Sequence, residues 1–335
     1  MKQKSFFKNF AMLAMAAVIG GSLASCSDDD ITPTITDANG DEWQVTSAGG
    51  FYFTYDEDGC LTSITDKETT YNVQKDKFVV SYIYKGSSIN SEFTFEDDLI
   101  TKVVATLSGF DDGGYYTSEL SMDFSYDSND RLKSYKGTSK IQDPNFNENA
   151  TATINYEWSN SQLTVRYNGT SQGYEQGEGS WNDSYNNTFV YTLGNQSNRS
   201  KQLPYCMTRY MIQTPEEGGE DFPLGMRLAV LGLFGHGPEF LPTGYSRNYI
   251  TNGKEKWSDN TYVFSFILNS NGTLMQEKEG FKSSYDGSIS WNDNTFNYIY
   301  TPTRADGMAT QSLKELLYNS LRHTTHRQRE ITQNN

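Results

Sequence analysis

Cysteine and histidine are scarce in this sequence, with three of each among 335 residues. A metal centre or a Ser–His–acid triad draws on these residue types. Yet His236 is the only histidine ahead of a polar C-terminal tail, and no Gly-x-Ser-x-Gly elbow occurs. Cys60 and Cys206 lie far apart in the chain, so a disulfide between them and two free thiols are both open. We therefore predict a protein without a metal, a cofactor or a catalytic site.

A hydrophobic run long enough to cross a membrane comfortably is also lacking. The apolar stretch at residues 11–24 follows three lysines, and this pattern is typical of a signal peptide. The stretch ends in Leu-Ala-Ser-Cys, which resembles a bacterial lipobox, in which Cys26 is acylated and residues 1–25 are removed. Ordinary secretion with an incidental cysteine is the alternative. Acyl chains on Cys26 would anchor the chain to outer-membrane lipid without a transmembrane segment.

An acidic run follows that cysteine. Ser27, Asp28, Asp29 and Asp30 resemble the export signal of surface-exposed lipoproteins of the Bacteroides group, and this favours the cell surface. A solvated linker is the plainer interpretation, because short acidic stretches are usually only that, and the periplasmic face stays open. We assign residues 26–40 to a flexible acidic tether.

Positive charge is in short supply. The chain has 27 Lys and Arg against 42 Asp and Glu, which gives a formal net charge of −15. A field of this sign repels the phosphates of nucleic acids and anionic lipid headgroups. We therefore exclude nucleic acid as a partner.

Strand-forming residues dominate positions 41–300, which we assign to one β domain. Aromatic and β-branched residues alternate with polar ones in 51–55, 78–84 and 262–267, and this predicts strands with one buried face. A long antiparallel meander of repeated hairpins follows, and because open sheets of many strands curl, we expect an all-β half-barrel or incomplete barrel. Strands that are short, with faces broken by Ser, Thr, Lys and Glu, argue against a membrane-spanning barrel, as does the mean hydropathy of −0.67.

The turns between these strands repeat. Residues 55–61 and 126–132 both begin with Tyr-Asp and place Leu six positions after the Tyr, 95–99 is a shortened version, and 269–274 is a variant. These segments resemble the tyrosine–aspartate repeat, in which a strand ends on Tyr-Asp, turns through Asn, Asp or Gly, and restarts at Leu. Asp and Asn bond to nearby backbone and tolerate a left-handed φ, so the residues suit hairpins and require no chemistry.

Four of the five tryptophans occupy similar positions. In each case the tryptophan is followed by Ser or Asn and then by Asn or Asp, and we expect this motif to precede a new strand. The four residues are Trp158, Trp181, Trp257 and Trp291. Packing at hairpin shoulders is one role open to them, as a repeat architecture requires. Exposed platforms for sugar rings or peptide are the other. These four are our candidate ligand-binding residues.

Residues 201–250 interrupt the meander with prolines and glycines around an apolar core at 226–234. We expect this core to pack as a helix or plug against the concave face of the sheet. Within it, Leu231-Gly-Leu-Phe-Gly-His-Gly-Pro, followed by Leu241-Pro242, resembles a segment of an uncharacterised Bacteroides surface lipoprotein family with a porin-like fold. The resemblance covers roughly residues 43–300 and implies a curved antiparallel sheet with no established activity.

The composition changes again in residues 301–335. Ser312 to Glu315 form a capping box, and four leucines lie on one helical face: Leu313, Leu316, Leu317 and Leu321. This pattern predicts a short amphipathic helix that docks on the sheet, followed by a polar tail.

Three functions remain open from the sequence. The first is a non-catalytic surface lipoprotein that binds a glycan or a host polymer. The second is a structural or assembly accessory of an outer-membrane complex, in which Gly225–Gly237 or the terminal helix contacts a partner. The third, ranked last, is a glycan hydrolase with a pair of carboxylates in the concave face, since such a pair need meet only in space.

Overall fold

The structure is a computed structural model that describes residues 32–66, 69–74, 78–84, 87–111, 114–215 and 220–303. The predicted signal peptide, Cys26, the acidic run 27–30 and the C-terminal helix lie outside the described residues. Among the residues described, no helix combines the length and the apolar character needed to cross a membrane.

The described chain consists mainly of strands. They are β1 (Ile35–Thr36), β2 (Glu42–Ala48), β3 (Phe51–Tyr55), β4 (Leu61–Thr65), β5 (Thr70–Gln74), β6 (Val79–Tyr84), β7 (Ser87–Glu96), β8 (Leu99–Asp111), β9 (Gly114–Tyr126), β10 (Leu132–Gln142), β11 (Phe146–Trp158), β12 (Gln162–Glu175), β13 (Gly179–Ser197), β14 (Gln213–Thr214), β15 (Glu220–Asp221), β16 (Phe240–Thr251), β17 (Lys254–Leu268), β18 (Leu274–Lys282) and β19 (Ile289–Pro302). Two helices, α1 (Tyr205–Met211) and α2 (Pro223–Ala229), lie between β13 and β16.

Sixteen of these strands form a closed antiparallel barrel. Each strand from β2 to β13 pairs with the next, β13 pairs with β16, and β19 returns to β2, where Tyr298 lies opposite Ala48. The predicted half-barrel or incomplete barrel is therefore wrong. Closure removes both free edges of the sheet, and it depends on pairing between the two ends of the domain, which no local sequence pattern indicates.

The strands are also longer than the sequence suggested. β12 has 14 residues and β13 has 19. Glycines that resemble turn signals lie inside these strands because bulky neighbours need the space. At Gly173 of β12, for example, an added Cβ would lie 2.5 Å from the ring of Trp181.

In strands β10 to β12, side chains alternate between a mostly apolar inner face and a polar outer face. In β11, Ile154 and Tyr156 are buried, while Thr151 and Asn155 are exposed. The flanking strands expose similar residues: Lys136, Thr138 and Lys140 on β10, and Arg166, Asn168 and Thr170 on β12. Barrels that span membranes carry an apolar band on the outer face, so the polarity of these strands is the reverse of theirs.

The segment between β13 and β16 fills the barrel, and we call it the plug (residues 198–239). A barrel of sixteen strands has a lumen that wall side chains alone do not fill. The apolar residues of Gly225–Gly237 are buried here, so this stretch packs inside the barrel and not on its surface. Of the apolar core at 226–234, only residues 226–229 are helical, in α2, which starts at Pro223, a residue that suits a first helical turn. The plug ends earlier than the predicted excursion, because β16 begins at Phe240.

Tyrosines on four consecutive strands attach the plug to the wall. Each hydroxyl donates to a plug carbonyl: Tyr135 to Gln213, Tyr156 to Met211, Tyr167 to Pro215 and Tyr191 to Met207. The last carbonyls of a helix have no partner within it, and α1 ends at Met211. Tyr156 therefore satisfies a carbonyl that the short helix leaves open, and Tyr135 and Tyr167 donate to buried carbonyls of the segment that follows the helix.

One hairpin geometry recurs at the end of the barrel where the described chain starts, which we call the entry end. The turns begin at Asp37, Asp56, Asp127 and Asn269. In each, the first N–H donates to the carbonyl of the fifth residue and the fourth N–H donates to the carbonyl of the first. The fourth residue always has a positive φ. The repeated sequence pattern predicted three of these turns but not the one at Asp37.

The hairpin between β7 and β8 is different. Glu96 pairs with Leu99, so only Asp97 and Asp98 connect the strands, and both have positive φ. A two-residue connection of this kind is a type I′ turn. Residues 95–99 are thus a separate turn type and not a shortened copy of the others.

Candidate functional site

The four candidate tryptophans are dispersed. They lie on β11, β13, β17 and β19, and no two of these strands are neighbours in the barrel. Trp158 ends β11 at the entry end, whereas Trp181, Trp257 and Trp291 lie inside strands that have just begun from the far end. Trp181, Trp257 and Trp291 therefore do not precede new strands, whereas Trp158 does precede β12. The fold does not assemble the four into one platform.

Two of the tryptophans have packing roles. The Nε1 of Trp158 donates to the carbonyl of Leu132 at 2.7 Å, and the guanidinium of Arg131 lies 5.2 Å from its ring centre. The Nε1 of Trp181 donates to the Ser171 hydroxyl at 3.0 Å. These bonds fix both indoles to the neighbouring wall, as a packing role requires.

For the other two tryptophans, the structure describes the side chain of Trp291 but only the backbone of Trp257. Trp291 leaves 40% of its surface exposed. The backbone of Trp257 pairs with Tyr249 of β16, and its side chain lies outside the described residues. Ligand binding by the four tryptophans stays a prediction.

A different set of side chains does come together on the inner wall formed by β16, β17 and β18. We call it the Arg247 cluster, and it consists of Tyr210, Tyr245, Arg247, Tyr262, Glu279 and Phe281. β18 starts beside the turn at the entry end, where the N–H of Ala38 donates to the carbonyl of Asn271 at 2.9 Å. Phe281 lies seven residues beyond Leu274, about 23 Å along the strand. The cluster is therefore at the far end of the barrel.

Arg247 is held between two phenol rings. Its guanidinium carbon lies 4.8 Å from the ring centre of Tyr262 and 5.6 Å from that of Tyr210. Nη2 donates to the Tyr262 hydroxyl at 2.8 Å, and Nη1 donates to the Tyr210 hydroxyl. Tyr245 stacks on Tyr262 with ring centres 4.6 Å apart, and Phe281 meets Tyr262 edge-on at 5.8 Å. The guanidinium thus has a fixed orientation among aromatic faces.

A carboxylate completes the cluster. Burial raises the pKa of Glu279, and the nearby guanidiniums of Arg209 and Arg247 oppose that rise. Phe281 is 46% exposed and Arg209 is exposed, while Arg247, Tyr262 and Glu279 are partly buried. Solvent therefore reaches a group of aromatic rings, cations and an acid at this end of the barrel.

Glu277 lies two residues before Glu279 on β18, further inside the barrel, and belongs to the core. It is 3% exposed, and its Oε1 accepts the backbone N–H of Cys206 at 3.0 Å. Burial raises the pKa of Glu277 to about 8. Glu277 and Glu279 lie on one face of β18, with Cα atoms about 7 Å apart. A hydrolytic pair needs both carboxyls open to a substrate, and Glu277 is buried.

Cys206 sits at the start of α1 as a free thiol, so it does not pair with Cys60. Burial raises the pKa of its thiol well above the ordinary value, and the neighbouring carboxyls of Glu277 and Glu279 raise it further. A thiol with this pKa is protonated at neutral pH and is a poor nucleophile. Within the described part of the chain, no three His, Cys, Asp or Glu side chains are grouped to hold a metal ion.

The Arg247 cluster was not predicted from the sequence, because residues 201–250 resemble an irregular excursion from the meander. The signal was present in Tyr245-x-Arg247-x-Tyr249, where alternate positions of a strand place an arginine between two tyrosines on one face. The contribution of Tyr210 comes from the plug and has no sequence signal of this kind.

Comparison with known proteins gives a structural likeness only. No sequence-family model matches the chain, and no curated protein sequence matches it. A porin-like protein from Bacteroides uniformis has 16% identity and a TM-score of 0.41 over 80% of this chain and 95% of its own. A porin-like protein from Bacteroides vulgatus has 12% identity and a TM-score of 0.42 over 82% of this chain and 100% of its own. Neither comparison gives evidence for the tyrosine–aspartate repeat.

Proposed function

We propose that this protein is a lipid-anchored, non-catalytic binding protein of the outer membrane that takes a glycan at the Arg247 cluster. The observation that carries the proposal is the place of that cluster, which is open to solvent at the end of the barrel opposite the entry end. Acylation of Cys26, which precedes the described chain by only a few residues, would hold the entry end near the lipid. The cluster would then face away from the membrane.

The chemistry of the cluster supports a sugar ligand. An aromatic ring such as Phe281 or Tyr262 offers a flat face to the C–H groups of a pyranose. A fixed guanidinium and a carboxylate, here Arg247 and Glu279, bond to adjacent hydroxyls in a directional way. The polar outer face of β10 to β12 and the net charge of −15 support a barrel that stands in water on its tether.

Glycan binding is tested by a thermal-shift screen of the purified protein against neutral and acidic polysaccharides and mucin glycans, with titration calorimetry on any hit. A ligand at about 100 times its dissociation constant stabilises the fold by about 2.7 kcal/mol, which raises the melting temperature measurably. Phe281→Ala should weaken a hit roughly tenfold, because it removes an exposed stacking face. Tyr174→Ala is the matched control, since Tyr174 is an exposed aromatic (45%) on β12, away from the cluster. Equal effects of the two variants, or no saturable shift across the panel, would contradict the proposal.

The anchor is tested separately. Cys26→Ala should move the protein from the membrane fraction to the soluble fraction, because no acyl chain can then be attached. Protease treatment of intact cells should degrade the wild-type protein if it faces outward. Survival of the protein in intact cells together with degradation after outer-membrane permeabilisation would place it on the periplasmic face instead.

A structural accessory of an outer-membrane complex is the second candidate. The observation that favours it is the hairpin between β18 and β19, where Tyr285 is 98% exposed and Ile289 and Trp291 also face solvent. Tyr285→Ser should abolish a cross-link to a membrane protein partner, whereas Tyr52→Ser, another exposed tyrosine, should leave it unchanged. No cross-linked product with the wild-type protein would remove this candidate.

A further inference from the structure

A cavity of about 50 Å³ lies inside the barrel, between α2 and the inner faces of β5 to β9. This sector of the wall is separate from β16 to β18, which hold the Arg247 cluster. Most of the cavity wall is apolar, with Leu107, Leu120, Phe222 and Leu224 among its residues. One water takes up about 10–15 Å³ of such space, so the cavity suits a compact molecule of roughly three to five non-hydrogen atoms.

Two buried polar groups on the cavity wall lack partners. Thr214 is 1% exposed and Arg227 is 7% exposed, and both line the cavity. Neither the Oγ1 of Thr214 nor the Nε of Arg227 has a hydrogen-bond partner among the described residues. A buried donor without an acceptor destabilises the fold. Two such donors on one void indicate that an acceptor belongs there.

The charge on Arg227 is already balanced. Its Nη2 lies 3.1 Å from the carboxylate of Asp66, and its Nη1 donates to the Tyr71 hydroxyl. The rings of Phe51 and Tyr71 lie 4.4 Å and 4.6 Å from the guanidinium carbon. An anion in the cavity would compete with Asp66 and would have to shed its water in an apolar space. The remaining Nε–H therefore suits a neutral acceptor.

We propose that this cavity is a binding site for a compact, uncharged and mostly apolar molecule that carries one hydrogen-bond acceptor, such as a short-chain ketone or alcohol. The apolar wall takes up the hydrocarbon part, and the Nε–H of Arg227 and the hydroxyl of Thr214 donate to its oxygen. This inference is independent of the glycan site, since it uses a different sector of the barrel.

The test uses the purified full-length protein with 2-butanone as the probe and isobutyrate as the charged counterpart of similar size. Saturation-transfer NMR titrations give the dissociation constant of each. We expect saturable binding of 2-butanone and at least roughly tenfold weaker binding of isobutyrate. Thr214→Val, which keeps the shape and removes the hydroxyl, should weaken 2-butanone binding roughly tenfold. Thr138→Val on the outer face is the matched control and should have no effect.

A second variant locates the binding. Leu120→Phe should fill the void and abolish the 2-butanone signal, and circular dichroism checks that the variant is folded. If Leu120→Phe does not fold, the comparison of Thr214→Val with Thr138→Val decides the matter alone. Absence of saturable 2-butanone binding, equal binding of isobutyrate, or an unchanged affinity in Thr214→Val would each overturn the proposal. Crystals soaked in 2-butanone that show only water in the cavity would do the same.

Discussion

The carboxyl group of Glu277 accepts a hydrogen bond from the backbone N–H of Cys206 at 3.0 Å, which joins strand β18 of the barrel wall to the first turn of α1. The hydroxyl of Tyr298 accepts the N–H of the preceding residue, Tyr205, at 3.1 Å. Helix α1 of the plug therefore begins on two polar groups of adjacent strands. One of them, Glu277, is an acid whose pKa is raised by burial.

This contact predicts a pH dependence of stability. The pKa of Glu277 is raised by burial from 4.5 to about 8, so the folded state favours the protonated carboxyl. Its contribution to stability is fully present below about pH 4.5 and is lost as the pH rises towards 8. Glu277→Gln mimics the protonated form. Its stability relative to wild type should therefore improve between pH 5 and pH 8.5, by on the order of 4 kcal/mol.

Urea denaturation at several pH values measures this change. The thiol of Cys206 and the hydroxyl of Tyr298 also face Glu277, but burial raises the pKa of both well above their ordinary values, so they titrate outside this window. Glu157→Gln is the control, because Glu157 pairs with Arg166 at 2.9 Å on the exposed outer face. A difference between Glu277→Gln and wild type that stays constant with pH would refute the assignment.

The four tyrosines that attach the plug to the barrel wall give a second prediction. Tyr167→Phe removes the hydroxyl that donates to the Pro215 carbonyl at 2.7 Å and leaves that buried carbonyl without this donor. We expect a loss of about 1–3 kcal/mol in the free energy of unfolding. Tyr174→Phe on the same strand, β12, should change it by less than about 0.5 kcal/mol, because Tyr174 is exposed. Indistinguishable denaturation curves for the two variants would show that the hydroxyl does not anchor the plug.

The sequence predicted the local parts of this fold and missed its closure. Alternation in residues such as Phe51–Tyr55 predicts a strand because side-chain period is a local property, and β3 has those bounds. The pairing of Tyr298 with Ala48 depends on the accumulated twist and tilt of sixteen strands. A short stretch of sequence does not reveal the total twist and tilt of sixteen strands. The prediction of an incomplete barrel was wrong for this reason.

The candidate site residues also include some that a sequence motif singles out and others that only the fold brings together. The four candidate tryptophans, Trp158, Trp181, Trp257 and Trp291, share a repeated motif, and repetition in a meander follows from the similar packing that its hairpins require. The Arg247 cluster arises where β16, β17, β18 and α1 meet, so its members have no common motif. Tyr245-x-Arg247 was readable on one strand, but the partner Tyr210 becomes a neighbour only when the plug enters the barrel.

The end of the plug provides a third prediction. Gly235 has a φ of +84°, and a Cβ added there would lie 2.1 Å from the carbonyl oxygen of Asp130. The next residue, His236, donates its backbone N–H to that same oxygen at 2.7 Å. Gly235→Ala should therefore cost at least about 2 kcal/mol, from backbone strain and the lost contact together. Gly253→Ala is the control, since its φ is +72° with no atom within 4 Å, and it should cost only about 1 kcal/mol. Equal losses in the free energy of unfolding, measured by urea denaturation, would mean that the plug is not held against the turn that begins at Asp127.

The ion pair between the plug and the wall gives the last prediction. Arg227 of α2 binds Asp66, and their side chains are 9% and 23% exposed. Arg227→Met removes the cation and its contacts with Tyr71 and Phe51, so we expect a loss of about 2–3 kcal/mol in the free energy of unfolding. Asp66→Asn in the same chain should recover part of that loss, because it removes the charge that Arg227 neutralises. A double-mutant cycle of the two single variants and the double variant measures the coupling between them. Additive losses would mean that Arg227 stabilises the plug through its ring contacts alone, and that its charge is not balanced by Asp66.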